Sequence, residues 1–495
     1  MEVTFRRNFC SCLNMALQEA RSGEQTQEIR LPEGMPDVGK ILSAWGQPIL
    51  RSKEWQTDSV SCTGGMMVWV LYVPEDGSAE QCLEGWIPFQ MRWDLPEDLP
   101  EGRMCLRLLP RPVDARSVSP RKILVRAGWS AMLQALVPTE LPVFAPEGVP
   151  EGVELLHSAY PVRLRKEAGE KPFTLEETLN LPDTASQPEQ IVYYRIEPNV
   201  TDRKVLTDKV VFRGNAGLHI LYRGEEGQLH SRDFELPFSQ YEDLSGAYSP
   251  EAQADFALCP TSAELDLDEE GQLHFKCGIA AQYCVSDREQ LAVIEDAYSP
   301  MRELTAQMQT LELPAILETR KEKADAQQSV TGQTASVVDG VFLPDFPRQK
   351  YRDNGVTLEL PGVFQSLFYD ENGALAAASA RWEGELHLNA DENTRMTAVP
   401  IPKIPDAEGG GTLREELSLE LTSDTRQQLP VVTGLTLGEE RKPDPGRPSL
   451  ILRRAGEDSL WEIAKASHST VQSIRDANGL QSEPAPGQML LIPVP

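Results

Sequence analysis

The chain reads as mainly β: three tandem β-sandwich-like domains followed by a small α+β module of βααβ order. Three observations point there. Two long stretches align without gaps at an offset of 150 residues. Each carries strand–turn–strand signals. The last 45 residues change to short helical stripes between two apolar runs. At 495 residues the chain is too long for one core and has room for roughly three to five domains.

The repeat is legible residue by residue. Ile41 matches Ile191, Thr57-Asp58 matches Thr207-Asp208, Val60 matches Val210, and Gly64 matches Gly214. Leu71-Tyr72 matches Leu221-Tyr222, and Glu75 and Gly77 match Glu225 and Gly227. A third, diverged copy is placed from Leu311-Glu-Leu-Pro314 through Leu367-Phe368, Glu371 and Gly373. This alignment needs an insertion of 14 residues and lacks the upstream glycine. Leu156 to Tyr160 resembles Ile294 to Tyr298 as a repeat ending. A period of this length is that of a domain, not of a solenoid turn.

Within each copy the signals are β. Met66 to Tyr72 is rich in strand formers. Gly77, Gly227 and Gly373 supply turn positions, and Glu80–Phe89, Leu229–Phe238 and Ala374–Leu388 return as hairpin partners. Lys122 to Gly128 and Gln272 to Gly278 alternate polar and apolar positions, as a strand with one buried face does. Arg302 to Met308 reads as a short helix. Pro138 to Gly152, with four prolines, reads as a linker or long surface loop, and Pro400 to Gly411 as another joint. The resulting map is an N-terminal segment 1–27, repeats at 28–165, 176–300 and 301–437, a semi-rigid tether 438–448, and a module at 449–495.

In that module Asp458 or Ser459 can cap a helix whose apolar stripe is Leu460, Trp461, Ile463 and Ala464. Val471 and Ile474 mark a second helix, and Asn478-Gly479 ends it with a pair that tolerates positive φ. Met489 to Ile492 forms the closing strand. Trp461 and Ile463 read as core, as do Trp69, Trp86 and Trp93.

Charge and composition exclude several functions. The net charge of −29 argues against nucleic acid and anionic membrane as partners. It reads as a solubility charge, with a basic protein partner as the alternative. No stretch approaches an apolar membrane span, and the first 30 residues hold no signal-peptide core. A cytoplasmic chain is expected, with eight reduced, mostly buried cysteines. No Cys-x-x-Cys pair, His cluster or Walker loop occurs: Gly409 to Thr412 lacks the following lysine. Glu75, Glu225 and Glu371 each sit beside a turn glycine, and the six histidines are scattered. No catalytic residue, metal site or cofactor is expected.

The motifs then match known families. Gly456-Glu-Asp-Ser-Leu-Trp-x-Ile-Ala-Lys, Asn478 and Gly487-Gln-x-Leu-x-Ile-Pro together resemble a LysM module. Leu31-Pro-x-x-x-Pro36-Asp, Thr57-Asp-x-Val60-x-x-x-Gly64, Val70-Leu-Tyr and Ser119 to Ala127 resemble the SPOCS domain of endospore-forming Firmicutes. Tandem SPOCS domains closed by one LysM module resemble the SipL family of spore-coat morphogenetic proteins. In LysM modules two loops border the ligand groove, which here implies Gly456, Glu457, Asp458 and Ser459 on one side and Asn478, Gly479, Leu480 and Gln481 on the other. The resemblance implies a scaffold in the mother cell, at the forespore surface, whose LysM contacts a SpoIVA-like coat ATPase, with other coat proteins as further partners. A cell-wall protein binding N-acetylglucosamine polymers is the alternative, and an enzyme with a LysM targeting module is the weakest reading.

Overall fold

The computed structural model describes residues 2–494 apart from 183–184, 330–335, 353–354, 390–393, 402–405, 409–411, 443–445 and 447. The first repeat contains β1 (Glu2–Val3), β2 (Phe5–Arg30), β3 (Val38–Trp55), β4 (Ser59–Pro74), β5 (Gln81–Asp94), β6 (Arg103–Pro110), β7 (Asp114–Ser119) and β8 (Lys122–Pro146). The second contains β9 (Glu154–Leu179), β10 (Pro188–Val205), β11 (Lys209–Gly224), β12 (Leu229–Asp243), β13 (Gln253–Leu267) and β14 (Leu273–Tyr298). The third contains β15 (Arg302–Ser329), β16 (Ser336–Pro344), β17 (Arg348–Arg352), β18 (Gly355–Tyr369), β19 (Leu375–Leu388), β20 (Thr394–Ile401), β21 (Asp406–Glu408) and β22 (Thr412–Glu440). The module is β23 (Leu450–Arg454), α1 (Leu460–Ala466), α2 (Val471–Asn478) and β24 (Met489–Pro493).

Each repeat pairs a three-stranded meander with two long antiparallel strands. The meanders are β3-β4-β5, β10-β11-β12 and β16-β18-β19, and the long pairs are β2/β8, β9/β14 and β15/β22. The 150-residue offset is carried into the hydrogen bonding. Ile41 lies opposite Tyr72 as Ile191 lies opposite Tyr222, and three register shifts in β3 recur at the same positions of β10. Gly64 and Gly214 are required there. A Cβ at Gly64 would lie 2.2 Å from the Ile49 carbonyl, and one at Gly214 would lie 2.0 Å from that of Asn199. The third repeat breaks this strand between Pro344 and Arg348, so Leu360 takes the place of the glycine without a clash. The hairpin turns fall where expected, with Gly77, Gly227 and Gly373 at φ +74, +81 and +74. Ile123, Val125 and Ala127 turn inward while Leu124 and Arg126 face out. Trp69 and Trp93 are buried, Trp86 half-buried, and all eight cysteines are free.

Several expectations are corrected. Residues 5–27, set apart in the sequence, form most of β2 and pair with β8. Residues 154–175 likewise pair with β14. Pro138, Pro142 and Pro146 do not make a loop but lie in β8. Four residues apart, their missing N–H groups fall on one edge, and beyond Leu136 β8 is paired by β2 alone. Arg302 to Met308 is the start of β15, not a helix, with Leu304 and Ala306 alternating into an apolar cluster. Pro314 lies inside β15, opposite Arg426, so it is not the counterpart of Pro32 and Pro182. The apparent insertion vanishes: from the end of the first long strand to Leu71, Leu221 and Leu367 are 41, 42 and 38 residues. Leu156 to Tyr160 and Ile294 to Tyr298 are not equivalent ends but stretches of paired strands. Residues 402–405 and 409–411 of the second joint, and 443–445 and 447 of the tether, lie outside the described residues.

The cores are not insulated from one another. Half of each long strand covers its own meander: Val125, Ala131 and Leu133 in the first repeat, Phe275, Ile279 and Val285 in the second, Leu417, Leu419 and Leu421 in the third. The other halves cover each other. Cys12 and Leu141, Leu164 and Leu291, and Leu313 and Val431 form one cluster drawn from all three repeats. β1 pairs with Leu435 and Thr436 of β22, closing the N-terminus onto the third repeat. Buried polar contacts cross the same boundaries. Arg165 Nη2 meets Asp424 at 2.6 Å. His219, on the second repeat, lies between Asp233, 2.5 Å from Nδ1, and Asp339 of the third repeat, 2.7 Å from Nε2. The Tyr193 hydroxyl donates to the second Asp339 oxygen. Burial alone would lower the His219 pKa, but the Asp339 charge and the hydrogen bonds of both carboxylates push it up to about 9.

Two outcomes follow from this packing. Leu313→Ala, in the cluster shared by three repeats, should cost about 2–5 kcal/mol, measured as a lowered denaturant midpoint for the whole chain. For His219 the folded pKa is raised, so its contribution is complete below its ordinary value of 6.5 and is lost as pH rises through about 9. The stability advantage of wild type over His219→Gln, measured by urea unfolding, should therefore shrink across that window.

Candidate binding site in the C-terminal module

The module is built from local signals. Ser459 caps α1: its hydroxyl accepts from the Glu462 N–H, and the Glu462 carboxylate accepts from the Ser459 N–H at 2.8 Å, a complete capping box. Thr470 caps α2, and Gly479 ends it at φ 62. Leu460, Ile463, Ala464, Ile474, Leu490 and Ile492 form its core. β23 and β24 pair with Leu452 opposite Leu491.

The two loops implied by the resemblance are brought side by side. Glu483, beyond the second loop, accepts from the Leu460 N–H at the start of α1 at 2.8 Å, and the Gly487 N–H donates to the Ala455 carbonyl. Among the eight implied residues, Gly456, Glu457, Asp458, Gly479 and Gln481 are exposed. Asp458 forms an ion pair with Arg453. Ser459 is committed to its cap. Leu480 packs against the core. Asn478 is a clip: its amide nitrogen donates to the Ile474 and Leu491 carbonyls at 2.7 and 2.6 Å, and its oxygen accepts from the Leu491 N–H at 2.7 Å. The exposed part of these two loops is therefore Glu457, Asp458, Gln481 and the glycine backbone.

Sequence reading missed a second surface. Trp461 is only partly buried and packs outward as well as inward: its Nε1 donates to Asp296 at 2.8 Å, and its ring meets Tyr298 edge-on at 4.8 Å. Lys465 holds both Asp296 oxygens at 2.8 and 2.7 Å. The Tyr298 hydroxyl donates to the Ser469 carbonyl at 2.9 Å. Burial would raise the Asp296 carboxyl, but the Lys465 and Trp461 hydrogen bonds hold it below the usual range. α1 thus docks the module on the end of β14, opposite in role to the exposed loops. The signal was present as Asp296-Ala-Tyr298, and as a tryptophan whose N–H needs a partner when buried.

A β frame of repeated sandwiches carrying a docked βααβ recognition module defines the class: a multidomain binding protein. Residues 187–265, which span β10 to most of β13, match the family described as SipL, SPOCS domain, and residues 456–493 match the LysM domain. These two matches support a SipL-like protein with a C-terminal LysM domain. Nothing matches it among the curated proteins or the solved structures. The SPOCS match ties the chain to sporulation, and the LysM domain is of the peptidoglycan-binding type. Both are non-catalytic domain families. No helix among the described residues is long and apolar enough to cross a membrane.

Asn478→Ala leaves the Leu491 N–H and two carbonyls without their partner, which should cost about 1–3 kcal/mol. The expected reading is a lower melting temperature of the LysM transition, with the melting of the repeats unchanged.

Proposed function

We propose that the chain is a non-enzymatic scaffold of endospore coat assembly, acting in the mother cell at the forespore surface. Its LysM module holds a SpoIVA-like coat ATPase through the loops 456–459 and 479–481. The observation that carries this reading is the division of the module into two faces. α1 is engaged by Asp296 and Tyr298 of the repeats, while Gly456, Glu457, Asp458, Gly479 and Gln481 stay exposed. A module anchored on one side and open on the other passes its partner's position to the body. A protein ligand is favoured over a sugar because Ser459 and Asn478, which could hydrogen-bond sugar hydroxyls, are already committed inside the fold. Linkage of this module to three repeats raises the effective concentration of further coat contacts.

The second reading, peptidoglycan binding, rests on the LysM match itself. Calorimetric titration separates the two. The whole chain should bind the coat ATPase and lose that binding when residues 446–495 are removed. Glu457→Lys with Gln481→Arg should weaken it while the melting profile is kept. Tight binding of N-acetylglucosamine oligomers with no ATPase binding would overturn the scaffold reading.

A further inference from the structure

Where the three repeats meet there is a cavity of about 110 Å³. β3 and β6 contribute from the first repeat, β10 and β13 from the second, and β15, β20 and β22 from the third. Arg107, Arg195, Arg203 and Lys321 line it against two acids, Glu197 and Glu420. In a chain of net charge −29 this is a local inversion of sign. Glu420 is shared: one oxygen takes Arg203 Nη2 at 2.7 Å, and the other lies 3.9 Å from Arg107 Nη2. Arg107 Nη1 donates to the Phe256 carbonyl at 2.7 Å.

Arg195 is different. It is 4 % exposed, its Nε lies 2.9 Å from Glu197, and among the described residues neither Nη1 nor Nη2 has a hydrogen-bond partner. Buried N–H donors without acceptors are costly. Arg195 also borders a second space, beside Trp45 and Trp69, but that one holds only about 10 Å³, the lower limit for a single water. The larger cavity is the place for an acceptor. The forked guanidinium fits a carboxylate in two parallel hydrogen bonds. The rest of the wall carries the apolar side chains Leu108, Ile196, Phe256, Leu258 and Val399 beside the polar Gln47 and Asn199. The volume is below the roughly 300–1,000 Å³ of pockets for drug-sized ligands.

We propose that this cavity binds a small carboxylate with an apolar body, its carboxylate held by Arg195 and its body by the apolar wall. Because the walls come from all three repeats, the ligand ties them together.

The test is calorimetric titration and thermal unfolding of the whole chain with benzoate, with benzyl alcohol and with inorganic phosphate. Benzoate is expected to bind saturably, one molecule per chain, and to raise the melting temperature, whereas benzyl alcohol and phosphate do neither. Arg195→Met should weaken benzoate at least about tenfold, the loss of hydrogen bonds to a charged group. Lys321→Glu reverses a charge on an exposed side chain at the cavity and leaves folding intact. It carries the test if the Arg195 variant does not fold, and should weaken benzoate several-fold. Absence of benzoate binding, equal affinity in these variants, or equally tight phosphate binding would each overturn the proposal.

Discussion

The structure depends on strands that outrun their own sandwiches. β8, β9, β14, β15 and β22 each run 25 to 29 residues, against the 3 to 10 typical of globular strands. A meander covers only half of such a strand. The uncovered half still alternates apolar residues, such as Leu291 and Val293 or Leu429 and Val431, and these must leave water. The three long pairs solve this by burying one another. Their shared core converts a repeat array into one body, and β1 reaching β22 closes it.

Once apolar halves are shared, the polar groups beside them are buried too and need partners across repeats. Arg165 with Asp424, and His219 with Asp339 and Tyr193, fill that need. Removing one member of such a pair costs more than the pair contributes, because a charge is left buried. These contacts therefore fix which faces of the repeats meet. Beside Arg195, buried guanidinium nitrogens are left without an acceptor among the described residues, in a space larger than one water.

The LysM domain is governed by the same frame. Asp296 and Tyr298 are among the last residues of β14, and that strand is held by the shared core through Leu291 and Val293. The docking of Trp461 and Lys465 is thus continuous with the packing of the repeats. The loops 456–459 and 479–481 are presented from a fixed base rather than from the end of a free tether.

Much of the local structure was legible because it rests on short-range rules. Turn glycines at 77, 227 and 373 need positive φ, the period-2 pattern from Lys122 needs one buried face, and Ser459 and Gly479 cap helices by chemistry within a few residues. Even Gly64 and Gly214 were visible as a repeat, though the approach of the Ile49 and Asn199 carbonyls was not. What went astray depended on partners outside the local window. The prolines of β8 look like a loop until β2 pairs with one edge of that strand. Arg302 to Met308 looks helical until Leu304 and Ala306 find an apolar cluster. The expected groove position of Asn478 did not reveal that it also clips the Leu491 backbone at 2.7 Å. Composition and periodicity specified strands, turns and caps, while the module's family came from the resemblance of its motifs. The assignment of buried faces to their covers came from contacts outside any local window, from Asn478 with Leu491, 13 residues apart, to Trp461 with Asp296, 165 apart.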